Sequence, residues 1–272
     1  MRTRLFRGNP RLLVAALPWA AGVVVLKLVA HEYDAEWLRL SPLLAGAIAA
    51  EVFILGFLLS GTAGDFKEAE RLPGEVASSL ETMADECLIT YQDIKLPEAR
   101  TCLQQLIEIS TSVRMWLMQD RGLDDVMSDI RALNGPFRVI APAIQAGFTT
   151  RMKSEQAVIR KLVIRMDTMR RTSYVAAGYL IAEVTAVLLL GILVVTDFED
   201  FWPTLWVSAL IAYLLFYVVG LIRDLDNPFE YRNGQPGAAD VNLDVLERSE
   251  DRLRALLGSL DAATAAEAEA GT

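Results

Sequence analysis

Two acids lie inside long apolar runs of this sequence, Glu51 and Glu183. An ionised carboxylate at the centre of a bilayer costs roughly 2.5–3.5 kcal/mol on insertion scales, so such a residue faces a bundle interior or water and takes a partner. The chemistry open to the pair is proton or ion relay. The plainer reading is a protonated or hydrogen-bonded contact between helices. Candidate partners are each other through a shared proton, or Tyr179, Thr185, Ser208 and Tyr213. Beside Glu51 runs a stripe, Ala49, Phe53 and Phe57, at i, i+4 and i+8. A stripe of this kind either packs or lines a pore. Helical residues are about 100° apart, which puts Glu51 about 200° from both Ala49 and Phe53. If the stripe faces a passage, Glu51 points into the bundle, and the reverse also holds.

Other chemistry has less support. The two cysteines, Cys87 and Cys102, both fall in the polar middle and make no metal set, so they read as reduced thiols. His31 is the only histidine and sits at a membrane edge, which leaves no histidine-based hydrolase or metal centre. No phosphate-binding loop, nucleophile elbow or metal-ligand spacing is present, so no enzyme activity and no cofactor are expected. Asp224, Asp226 and Glu230 cluster at the exit of the last apolar run. Carboxylates with backbone carbonyls can hold calcium, and a solvated or salt-bridged turn is the alternative. A net charge of −9 argues against a nucleic-acid partner, which needs basic patches.

The elements that must position these residues are apolar runs near 10–30, 41–61, 174–196 and 204–222. A helix crosses the ~30 Å hydrocarbon core in roughly 20 residues, so each run is long enough. The fold class expected is an all-α membrane protein, with four transmembrane helices in two pairs and a helical cytoplasmic region between the pairs. The domain layout is 1–61, 62–173, 174–222 and a tail over 223–272. The first run has a basic leader (Arg2, Arg4, Arg7, Arg11) but too long an apolar core for a cleaved signal, so it is read as a retained helix.

Orientation follows from basic residues in short flanks. The loop 31–40 carries Arg39 against Glu32, Asp34 and Glu36, and the loop 197–203 has no basic residue. Lys153, Arg160, Lys161, Arg165, Arg170 and Arg171 precede the third run, and Arg223 follows the fourth. Both termini and the polar middle are therefore expected in the cytoplasm, with the protein in the plasma (inner) membrane. The Arg160–Arg171 run reads as anchoring and lipid-headgroup contact, or as an ion-attracting vestibule. Trp37, Trp202 and Trp206 fit the interfaces. Pro18 is expected to kink the first helix, and Lys27 to snorkel outward.

The middle lacks alternating β patterns. Leu103, Leu106, Ile107, Ser110, Val113, Met115 and Leu117 recur at helical spacing. Helices are expected near 65–92, 97–121, 123–133 and 137–172, the last running straight into the third span. Breaks are expected at Asp93–Pro97, Gly122 and Asn134-Gly135-Pro136. Pro73 and Pro142 should kink their helices. Gly56, Gly61 and Gly64 allow close helix approach or a bend. In the tail, Leu243–Leu260 has a weak amphipathic pattern, and Ala262–Thr272 is expected to be frayed or disordered.

Two stretches carry a family likeness. One is Leu55-Gly56-Phe57 followed by Asp65-Phe66-Lys67-Glu68-Ala69-Glu70-Arg71-Leu72-Pro73-Gly74-Glu75. The other is Asp226-Asn227-Pro228-Phe229-Glu230-Tyr231, with Val241-Asn242-Leu243-Asp244 downstream. With the two-plus-two layout, the chain resembles the bestrophins and the bacterial bestrophin-like membrane proteins. It departs from them at Glu230, where the family usually has Gly, at Phe66-Lys67 in place of Trp-Trp, and at Leu58 in place of Arg. These departures mark a distant relative.

The resemblance implies a homo-oligomer, a pentamer, around a central ion pore whose neck is lined by the second span. Ala49, Phe53 and Phe57 would face the pore, with the two phenylalanines as hydrophobic gate candidates. The cytoplasmic helices would form a vestibule. Family members include anion (chloride) and cation conductors, so selectivity stays open. The partners implied are membrane lipid, inorganic ions and further copies of the chain. A non-conducting membrane-anchored signalling or interaction protein is the first alternative. A proton-coupled transporter using Glu51 and Glu183 is the second.

Overall fold

A computed structural model describes residues 10–39, 41–171, 176–197, 200–231 and 240–270. The elements are α1 (Pro10–Glu32), β1 (Leu38–Arg39), α2 (Pro42–Ile94), α3 (Pro97–Leu117), α4 (Leu123–Ala132), α5 (Asn134–Ile140), α6 (Ala146–Arg171), α7 (Ala176–Val194), β2 (Thr196–Asp197), α8 (Phe201–Asp226) and α9 (Asp244–Ala270). The chain divides into two compact units. One comprises residues 1–66 and 173–228, the other 67–172 and 229–272. The single helix α2 supplies its first part to one unit and its remainder to the other.

In the membrane unit, α1 packs along α8, and α7 packs against both. Three helices among the described residues are long and apolar enough to cross a bilayer: α1, α2 and α8. The fourth apolar run forms α7, whose stretch Gly178–Val194 is apolar but shorter. The protein is therefore a multi-pass membrane protein with an all-helical framework. Pro18 lies inside α1 without ending it. Among the described residues the sheet structure is a two-residue parallel ladder, with Leu38 opposite Thr196 and Arg39 opposite Asp197. Pairs this short carry no alternation that a sequence pattern can reveal.

In the other unit, α3 is the central element and packs on α9, α4 and α5, while α4 packs on α6. Leu103, Leu106, Ser110, Val113 and Leu117 are buried as the spacing predicts, and Cys102, Ile109 and Trp116 join them. Ile107 and Met115 are only half-buried. On α9, Leu246, Leu253 and Leu260 recur every seven residues and are buried. Cys87 and Cys102 are buried free thiols. The hydrogen bond with Cys102, reinforced by burial, pushes the Cys87 thiol well above the ordinary range, which suits an inert core residue.

Several boundaries differ from expectation. The helix of the second apolar run does not stop near 61 and restart: α2 continues to Ile94, through Gly61, Gly64 and Pro73. Thr62 Oγ1 bonds back to the carbonyls of Leu58 and Leu59 at 3.1 and 3.2 Å, so the helix passes the glycines intact. Beyond Pro73 the continuous face Leu72, Val76, Leu80 and Met83 is fully packed and holds the helix despite the lost N–H. A Cβ built on Gly56 or Gly64 meets nothing within 4 Å, so neither glycine serves a close helix contact inside the protomer.

Helix α3 ends at Leu117 rather than 121. Gln119 adopts a left-handed conformation (φ 71°), which no helix continues through. The break expected at Asn134-Gly135-Pro136 falls one residue earlier, at Leu133, and these three residues open the short α5, with Pro136 near the helix start where its missing N–H costs nothing. Pro142 does more than kink its helix: α5 ends at Ile140 and α6 begins only at Ala146. The expected junction of α6 with the third span falls at 172–175, outside the described residues. The tail is not frayed from Ala262 on; α9 stays helical to Ala270. Alanine and glutamate are strong helix formers, and here propensity prevails over low hydrophobicity.

Candidate pore face and polar groups of the membrane unit

Along the first part of α2, Leu44, Glu51, Leu55, Leu58 and Thr62 are buried, at successive spacings of seven, four, three and four. That row is the face the helix turns into the bundle. With Ala20, Val23, Ala182, Leu189, Ala212 and Leu215 it forms the unit's apolar core. Ala49, Phe53 and Phe57 lie on the opposite side and are exposed, Phe53 by 74% and Phe57 by 65%. The either–or left by the helix rotation is thus resolved within the protomer: the acid points in and the stripe points out.

Glu51 is 4% exposed, and its Oε1 has no hydrogen-bond partner among the described residues. Ser208 Oγ, also buried, is in the same condition. Glu183 does not share a proton with Glu51, and none of the other partners expected for it is the one it takes. Its Oε1 accepts from Arg223 Nε at 2.7 Å and Nη2 at 2.5 Å. Tyr179 donates to Asp226 Oδ1 at 2.5 Å, and Thr185 donates to the Ile181 carbonyl at 2.8 Å. Glu183 is the lone acid of its run and Arg223 the lone base at the end of the next, which was the one signal available for this pairing.

Lys27 is the residue that sequence reasoning dismissed. It does not snorkel; its side chain is 1% exposed. Its ammonium donates to the Val194 carbonyl at 3.2 Å and to the Thr196 carbonyl, and pairs with Glu36 Oε1 at 2.5 Å. It therefore caps carbonyls left open at the C-terminal end of α7. His31 Nδ1 lies 2.9 Å from Glu36 Oε2, and its ring stacks on Phe201 at 3.9 Å. Burial alone would raise the Glu36 carboxyl, but hydrogen bonds from Lys27 and His31 hold it below its usual value. A lysine in an apolar run reads as snorkelling unless a neighbouring helix end is known to stop beside it.

Asp224, Asp226 and Glu230 do not come together as a metal cluster, and no group of three or more ligating side chains does so among the described residues. The turn after α8 serves packing. Phe229 and Tyr231 are buried, and Tyr231 donates to the Val241 carbonyl at 2.8 Å. Burial, with a smaller push from Asp240, drives the Tyr231 phenol well above its normal range. Asn242 Oδ1 then accepts from the Asp244 amide at 2.7 Å and starts α9. Both family-like words at this end thus serve packing and the start of α9.

No protein-family model matches the sequence, and no curated protein does. Solved structures match over most of the chain. A point-substituted form of a bacterial bestrophin homologue from Klebsiella pneumoniae aligns with TM-score 0.74 at 17% identity, covering 90% of this chain and 99% of that one. A second structure of a Klebsiella pneumoniae bestrophin homologue gives 0.74 at 17%, over 91% and 97%. A structure described as a membrane protein gives 0.76 at 15%, over 90% and 98%.

The fold is that of the bacterial bestrophin homologues. Within the bestrophin fold, α2 is the helix that carries the Ala49–Phe53–Phe57 stripe, and the Asn227-Pro228-Phe229 turn closes α8. Identity this low means the likeness rests on helix order and packing, which physical constraints maintain while side chains drift.

Proposed function

We propose that this chain assembles as a homo-oligomer, a pentamer, around an ion-conducting pore. In this reading four spans in two pairs sit in the plasma (inner) membrane, with both termini and the helical middle in the cytoplasm. The neck is lined by α2, with Ala49 at one level and Phe53 and Phe57 as hydrophobic rings. Aromatic rings close a narrow pore by excluding water and pass ions when widened. One observation carries the reading: the membrane part of α2 packs through one face alone and leaves two phenylalanines exposed on the other. A protomer with the bestrophin fold and such a face is completed by further copies of itself. Anion or cation preference is not assigned by these residues.

Planar-bilayer recording of the purified oligomer tests this. Unitary currents are expected, and Phe57→Ala should raise the open fraction. Silent bilayers from a well-folded ring would overturn it and favour the non-conducting anchor. A proton-coupled transporter keeps one observation in its favour, the buried and unpartnered Oε1 of Glu51. It requires pH-dependent uptake that Glu51→Gln abolishes, without unitary currents. The Arg223 pairing weighs against Glu183 as the second member of a shared-proton relay.

A further inference from the structure

We propose that the membrane unit binds one phospholipid with a primary amine in its headgroup, in the groove between α1, α7 and α8. The groove encloses about 710 Å³ and is lined by apolar side chains, apart from Glu183 and Arg223. Along α1 it runs from Leu12 to Leu26, which at 1.5 Å per residue is about 21 Å. Half of a ~30 Å hydrocarbon core is about 15 Å, so the groove accommodates a leaflet-length acyl chain.

Two glycines keep the groove open. A Cβ on Gly22 or Gly191 meets nothing within 4 Å, so no side chain of the protomer claims that space. The polar end has a definite chemistry. Arg223 uses Nε and Nη2 on Glu183 Oε1 alone. Glu183 Oε2 and Arg223 Nη1 take no part in that pair, so the polar end of the groove offers both an acceptor and a donor. Arg223 is well exposed and Glu183 partly so. A primary ammonium donates to Oε2 while the adjoining phosphate oxygen accepts from Nη1. A purely anionic headgroup meets the repulsion of Glu183, and a quaternary ammonium has no N–H to donate.

The test is native mass spectrometry of the full-length protein exchanged against phosphatidylethanolamine, phosphatidylcholine and phosphatidylglycerol. A photo-crosslinking residue placed at Gly191 in a separate preparation identifies the occupant. One phosphatidylethanolamine per protomer is expected to persist and to label at position 191. Gly191→Leu, and independently Gly22→Leu, should cut retained lipid about tenfold with thermal melting unchanged. Glu183→Gln should erase the preference for ethanolamine over choline while leaving lipid bound. Equal retention of all three lipids by the unaltered protein, indifference to both leucine substitutions, or crosslinking to another copy of the chain would each overturn the proposal.

Discussion

The two halves of α2 make the most instructive comparison in the molecule. Beyond residue 67 the helix is finished as a protein core: Leu72, Val76, Leu80, Met83 and Cys87 are all sealed by neighbours of the same unit. Before it, only one face is sealed, and Leu43, Phe53 and Phe57 stand out bare. One continuous helix thus passes from a region whose solvent is other side chains to a region whose solvent must be lipid, water or further copies. In water, contiguous apolar surface of that kind marks an interaction site. In a bilayer it is tolerated, and the buried polar groups become the informative ones.

That contrast can be tested by asking where each half is sensitive. Two large effects of comparable size are expected. Lys27→Met strands Glu36 and two carbonyls in a buried setting, and a loss of about 3–5 kcal/mol is expected in detergent unfolding. Leu106→Ala in the other unit should cost about 2–5 kcal/mol by thermal or denaturant melting, because the side chain is fully enclosed. If instead Leu106→Ala were mild, the claim that this unit is complete as a protomer would fail. Acid should act on the Lys27 cluster in a set direction. Glu36 has its carboxyl lowered in the folded state, so its contribution is complete above the unfolded value, about 4.3. It should be lost as pH falls through the lower folded value, and Glu36→Gln should flatten that part of the stability profile.

Smaller effects sharpen the contrast. Arg165 holds Glu68 through bonds of 2.8 and 2.9 Å, both side chains being nearly half exposed. Arg165→Ala should therefore cost under about 1 kcal/mol, and less in high salt. Phe57→Ala should alter melting least of all, by a few tenths of a kcal/mol, because little is packed against the ring. A large stability loss in the isolated protomer would show the stripe to be packing rather than pore.

Much of the fold was legible because long apolar runs and helical spacing are local signals. The breaks at Asp93–Pro97 and Gly122 rest on residues that act through their own backbone. The opposition of Glu51 to Phe53 and Phe57 was also legible, since helix rotation fixes it. What was not legible was every pairing between distant residues. Glu183 finds Arg223 forty residues on, and Lys27 finds the end of α7. Pro142 and Pro73 show the same limit: identical chemistry ends one helix and is absorbed in another, and only the packing face beside Pro73 explains the difference.

The sequence by itself determined that this is a helical membrane protein, which helices are apolar, and which residues share a side of each. Those follow from hydrophobicity and from the fixed 100° step of the α-helix. Tertiary structure alone decided which buried charges meet, that Lys27 is a helix cap instead of a surface anchor, and that an apolar groove lies beside Glu183 and Arg223. Contacts of this kind depend on how helices far apart in the chain are brought side by side, and no spacing along one helix encodes that.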